Sequence, residues 1–147
     1  MYTDNDQQFI DLMHDFVESH KDRPASTESF KAVAEKHMTK LMDLQGNGRL
    51  DWFFREWVYG MSVPKYHFEY RVSPADGGKF KLHMSVTQSD VDDNFVMLVP
   101  VFADFGKGMV RVGQVGVLGN NTRELETLLP SQPKKVALNY YRDILER

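Results

Sequence analysis

Five histidines (His14, His20, His37, His67 and His83) are the first residues to weigh for metal or proton chemistry. Zinc-assisted hydrolysis calls for two ring nitrogens on one helix face, as in H-E-x-x-H, with the Glu between them as general base. No histidine pair here has that spacing. His14 and His20 are six apart, on opposite sides of a helix. His67 and His83 fall on the polar faces of two strands expected to pair, so they are the pair expected to approach each other. Two ligands do not close a zinc site, and two exposed surface histidines are the preferred reading.

A second candidate is an oxygen-rich loop. Asp43, Gln45, Asn47 and Asp51 match ligand positions one, three, five and nine of an EF-hand loop, with Gly48 at position six and Leu50 at eight. The twelfth position needs a bidentate Glu and holds Phe54. Without those two oxygens the preferred reading is a plain connection between helices. Asp90, Asp92 and Asp93 mark an acidic turn that interrupts two sticky strands. Asn120-Asn121-Thr122 matches a glycosylation sequon. There is no G-x-S-x-G, S-x-x-K or phosphate-binding glycine loop. With no cysteine in the chain, disulfides, thiolate metal sites and a thiol nucleophile are excluded.

Composition narrows the rest. The 147 residues are 41% hydrophobic and 27% charged, enough apolar matter for a core. A net charge of −3 offers no basic footprint for nucleic acid. No window approaches the roughly 18 apolar residues of a membrane span. The acidic start Met1-Tyr2-Thr3-Asp4-Asn5-Asp6 lacks the basic and apolar stretches of a signal peptide.

The elements that must position these residues change period midway. Phe9, Leu12, Met13, Phe16 and Val17 form a helical stripe, closed by Pro24. Ser26 or Thr27 offers a cap for a second helix carrying Phe30, Val33, Ala34, His37, Leu41 and Met42. A third helix starts near Asp51, with Gly60 expected as its left-handed terminator and Pro64 just beyond. From Lys65 alternation takes over. Tyr66, Phe68, Tyr70 and Val72, then Phe80, Leu82, Met84 and Val86, flank an Asp76-Gly77-Gly78 turn. Residues 95–102 read as a strand covered on both faces, with Pro100 near an edge or bulge. A phase slip between Val110/Val112 and Val115/Val117 predicts a bulge at Gly113-Gln114. Strands near 123–129 and 134–139 come next, and Tyr140–Arg147 reads as a helix start or tail. The fold class is α+β: about three helices in residues 1–62, then an antiparallel β-sandwich of about six to seven strands in 63–147.

The block Trp52-Phe53-Phe54-Arg55-Glu56-Trp57-Val58-Tyr59 carries more aromatic surface than one helix face can hide. Trp52, Phe53, Trp57 and Tyr59 are therefore candidates for an interdomain interface.

Asp51-Trp-Phe-Phe-Arg-Glu-Trp-Val-Tyr-Gly-Met-Ser-Val-Pro-Lys-Tyr66 resembles the end of the catalytic domain of aminopeptidase N-like zinc peptidases (gluzincin aminopeptidases), where an F-F-x-x-W-V-x-x-x-G-x-P-x-Y helix leads into a β-sandwich. Ser26-Thr-Glu-Ser-Phe30 is similar to that family's T-x-x-D/E-F helix start. Lys81-Leu-His-Met-Ser-Val-Thr-Gln88 and Phe95-Val-Met-Leu-Val-Pro-Val101 resemble its strand ending in Gln and the F-x-x-P/V-V-P-V strand after it. Ser62 departs from the family, which often has Gly there. The resemblance covers residues 6 to 145. It implies a zinc enzyme that removes N-terminal residues from peptides, whose metal ligands, amine-binding motif and catalytic Tyr lie upstream of the matching region. No catalytic or metal-binding residue carries over to this chain. The resemblance therefore implies a structural segment whose partner is the upstream catalytic domain of the same polypeptide. Zinc and peptide substrate would then enter only through the parent. The alternative is a stand-alone β-sandwich module that binds a protein or a glycan.

Overall fold

The computed structural model describes residues 6–147, so the start of the acidic N-terminal stretch, Met1–Asn5, lies outside the described residues. The chain divides into two compact units, with the division between Met61 and Ser62.

The first unit holds three helices, α1 (Asp6–Ser19), α2 (Thr27–Lys36) and α3 (Asp51–Trp57). Ser26 caps α2 reciprocally. Ser29 N–H donates to Ser26 Oγ at 3.1 Å, and Ser26 N–H donates to Ser29 Oγ at 2.9 Å. Leu12, Ala34, Leu50 and Phe54 are buried together, with Met13, Phe30, Met38, Met42 and Phe53 packed around them.

Two expectations fail here for physical reasons. The apolar spacing through Leu41 and Met42 predicts a longer second helix, yet α2 stops at Lys36 and Leu41 is exposed. Met38 and Met42 reach the core from the non-helical segment after α2, so the spacing reports burial rather than helix. Gly60 does not take the left-handed conformation expected of it, because its φ is not positive. A Cβ there would sit 2.7 Å from the carbonyl oxygens of Arg55 and Glu56, so glycine is required by close approach of the backbone.

The second unit is two three-stranded antiparallel sheets facing each other. One has the order β1 (Lys65–Pro74), β2 (Phe80–Ser89), β5 (Asn121–Leu129). The other has the order β4 (Met109–Leu118), β3 (Val96–Asp104), β6 (Lys135–Leu138). Leu82, Met84 and Val86 from one sheet meet Val101, Ala103, Val115, Val117 and Val136 from the other. Alternation on β2 sends Lys81, His83, Ser85 and Thr87 to the opposite face. The α+β architecture with a sandwich of six strands is the one the alternating pattern implies.

The bulge lies one residue earlier than its expected place. Val101 pairs with Gly113 and Phe102 with Arg111, which leaves Val112 as the extra residue of β4. Pro100, one position away, lies in the central strand of its sheet, just past the end of β6, where its carbonyl accepts the Asn139 N–H at 2.8 Å. The C-terminal tail is not a helix. Asn139, at φ 44°, ties it down instead: its buried side chain accepts the Ile144 N–H at 3.2 Å and donates to the Ile144 carbonyl at 2.9 Å.

Candidate functional site

The helices of the first unit do not close over their own core. They leave an open cleft of about 440 Å³ whose walls include Phe9, Leu12, Phe30, Met42, Phe53 and Phe54. Trp52 also lines it, anchored by its indole N–H, which donates to the Met42 carbonyl at 3.1 Å. Polar groups at the cleft include Asp6 and His37. His37 Nε2 lies 2.8 Å from Asp15 Oδ2, a link between α2 and α1.

The four aromatic interface candidates separate. Trp52 is 1% exposed. Phe53 is half-buried and stacks edge-on against Trp52, with ring centroids 5.7 Å apart. Trp57 is half-buried. Tyr59 is exposed, and its hydroxyl donates to Glu28 at 2.8 Å, which raises the phenol pKa above its ordinary value.

The EF-hand-like loop has turned its oxygens to protein donors. Asp43 accepts the backbone N–H groups of Asn47 and Gly48, and the Asn47 side chain accepts from Arg49 N. Asp51 is held by Arg49, whose Nε donates at 2.7 Å, and by Lys31 from α2. The hydrogen bond from Arg49 and then that from Lys31 hold the Asp51 carboxyl down at about 2. Phe54, at the position of the missing Glu, is buried. The loop thus uses its carboxylates to brace a helix connection.

His67 and His83 do not approach each other. In the β1–β2 register His67 faces Thr87 and His83 faces Arg71, four positions away, or about 13 Å along the strands. His83 lies instead beside Glu126, whose carboxyl is held below its ordinary range by Lys81 first and His83 second. Among the described residues no group of three or more His, Asp or Glu is placed to hold a metal ion. At the sequon, the Asn120 side chain is engaged twice with Val91, accepting its N–H at 3.2 Å and donating to its carbonyl at 2.7 Å.

Sequence reasoning singles out the α3 aromatics but misses the cleft. The available signal is on α1, where 9-12-16 and 10-13-17 form two adjacent apolar lines, wider than one short neighbouring helix covers. The chain matches no family model, no curated protein and no solved structure.

Proposed function

We propose that this chain is a non-catalytic structural segment of a zinc-dependent aminopeptidase-like protein. In this reading the helical unit is the last bundle of the catalytic domain, and the sandwich buttresses it and narrows access to the cleft where peptide binds. One observation carries the reading. Tyr66 and Gln88, two residues on which the family resemblance rests, face each other in register, and the Tyr66 hydroxyl donates to Gln88 Oε1 at 2.9 Å. Gln88 in turn donates to the Gly119 carbonyl at 2.9 Å and is 1% exposed. A strand-ending Gln and a Pro-x-Tyr lead-in thus act as one buried polar link, a reason for both residues to occur in one chain.

Zinc enters only through the parent, whose metal would lower the pKa of a bound water for attack on the peptide carbonyl. The test has two arms. The genomic reading frame upstream of codon 1 is expected to contain H-E-x-x-H. The purified chain is expected neither to retain zinc in stoichiometric amount nor to release an N-terminal amino acid from a peptide. An upstream frame lacking the metal motif, or chelator-sensitive cleavage by the chain alone, overturns the proposal.

A further inference from the structure

We propose that the apolar cleft of the helical unit docks a basic amphipathic helix, supplied as a peptide segment of a partner. The inference is independent of the aminopeptidase reading, because it rests on the cleft alone.

Three observations lead to it. First, the cleft has the shape and surface for apolar side chains. It is open, aromatic-walled and bordered by Met42, with Met13 and Met38 packed into the same cluster. Methionine thioethers are flexible and polarisable, and they suit a surface that must mould around an inserted helix. Second, α1 leaves unusual apolar surface uncovered for a 14-residue helix: Phe9 is 60% exposed, Ile10 55% and Val17 56%. Phe9 is itself a wall of the cleft, so this surface continues out of it.

Third, the charge along α1 is predominantly negative. Helix α1 carries Asp6, Asp11, Asp15 and Glu18 and no Lys or Arg. Residues 6–61 hold ten Asp and Glu against seven Lys and Arg, whereas residues 62–147 hold ten against eleven, so the negative balance is local to the helical unit. Several cations of the unit are already committed: Lys31 and Arg49 both pair with Asp51, and Lys21 pairs with Glu18.

An occupant must therefore bring apolar side chains at helical spacing together with positive charge. A basic amphipathic helix has both. A second copy of this chain would bring the same carboxylates to the contact and be repelled. An anionic bilayer or a fatty acid would meet the same repulsion.

The experiment uses the full chain and two synthetic helical peptides of about 18 residues, or five turns. Both carry the same leucines at positions i, i+3, i+4 and i+7; one has Lys and the other Glu on the polar face. Fluorescence anisotropy is expected to show saturable binding of the Lys peptide, with the Glu peptide weaker by roughly tenfold or more. Raising the salt to about 0.5 M is expected to narrow that gap. Phe9→Ser is expected to weaken the Lys peptide by at least about fivefold while leaving thermal unfolding unchanged, since the residue is exposed. Tyr70→Ser on the sandwich is expected to change nothing. Equal affinity for the two peptides, no binding, or binding insensitive to Phe9→Ser overturns the proposal. So does a dimer in sedimentation that Phe9→Ser dissociates, which would assign the surface to a second copy. Uptake by phosphatidylglycerol vesicles in preference to the Lys peptide would assign it to lipid, with the same consequence.

Discussion

The helical unit and the sandwich solve the same burial problem with different success. In the sandwich, alternation gives the strands an inner face, and two sheets cover one another: Leu82, Val86, Val101, Ala103 and Val117 are fully buried. In the helical unit three short helices must wrap a core between them, and Leu12, the only buried residue of α1, shares that helix with largely exposed Phe9, Ile10 and Val17. Two flat faces can close on each other, whereas three short cylinders leave a gap unless long loops or another partner fills it. The difference predicts that substitutions in the sandwich core act on stability, and substitutions around the cleft act on binding.

The largest contrast comes from truncating one apolar residue in each region. Leu82→Ala is expected to destabilise the sandwich by about 3 kcal/mol, read from urea unfolding followed by circular dichroism in the strand region. Phe9→Ser in the helical unit is expected to change stability by no more than about 0.5 kcal/mol. If Phe9→Ser matches Leu82→Ala, Phe9 is not part of an open surface and the cleft is closed in solution.

Next in size is the polar link within the sandwich. Gln88→Ala strips the partner from the Tyr66 hydroxyl and from the Gly119 carbonyl, and is expected to destabilise by about 2 kcal/mol. Tyr66→Phe removes only one of the two hydrogen bonds and is expected to lose about 1 kcal/mol. The same urea experiment ranks them, and equal effects would mean that the link does not run through Gln88. Gly119→Ala sharpens the point from the backbone side. Its φ is +59°, and a Cβ would lie 2.6 Å from the Asp93 carbonyl oxygen, so a loss of at least about 1 kcal/mol is expected.

The smallest effect, and the one confined to the helical unit, is acid sensitivity. Asp51 is held at about 2, below its ordinary 3.8, so its ionised form favours the folded state. That stability is fully present above pH 3.8 and is lost as the pH falls through about 2. Asp51→Asn is expected to be less stable at neutral pH, with the difference from the unsubstituted chain shrinking across that acid window. Trp52 and Trp57 both lie in the helical unit, so tryptophan fluorescence reads it selectively. A difference that stays constant down to pH 2 would remove Asp51 as the brace.

Much of the fold is legible in the residues. The switch from a 3.6 to a 2 period near Lys65 marks where helices give way to strands, because side-chain direction along each element follows from backbone geometry alone. The β1–β2 hairpin, the capping of α2 by Ser26 and the presence of a bulge in β4 rest on local rules of the same kind. The misses share a cause. Met42 reads as helical because it is buried, and Gly60 reads as left-handed because it comes after a helix. In each case the true reason is another part of the chain: a core approached from a turn, and carbonyls within 3 Å of a missing Cβ.

By itself, then, the order of residues determined which segments are helix and strand, which faces are apolar, and that no H-E-x-x-H, thiol or nucleophile motif is available. Only the tertiary structure decided that Trp52 is buried with its indole tied to the Met42 carbonyl, that Asp43 and Asp51 brace a loop, that His67 and His83 stand apart, and that α1 borders an open cleft. The first set depends on interactions within a few residues, which spacing encodes directly. The second depends on which distant groups meet, and that is settled by how whole faces pack against one another.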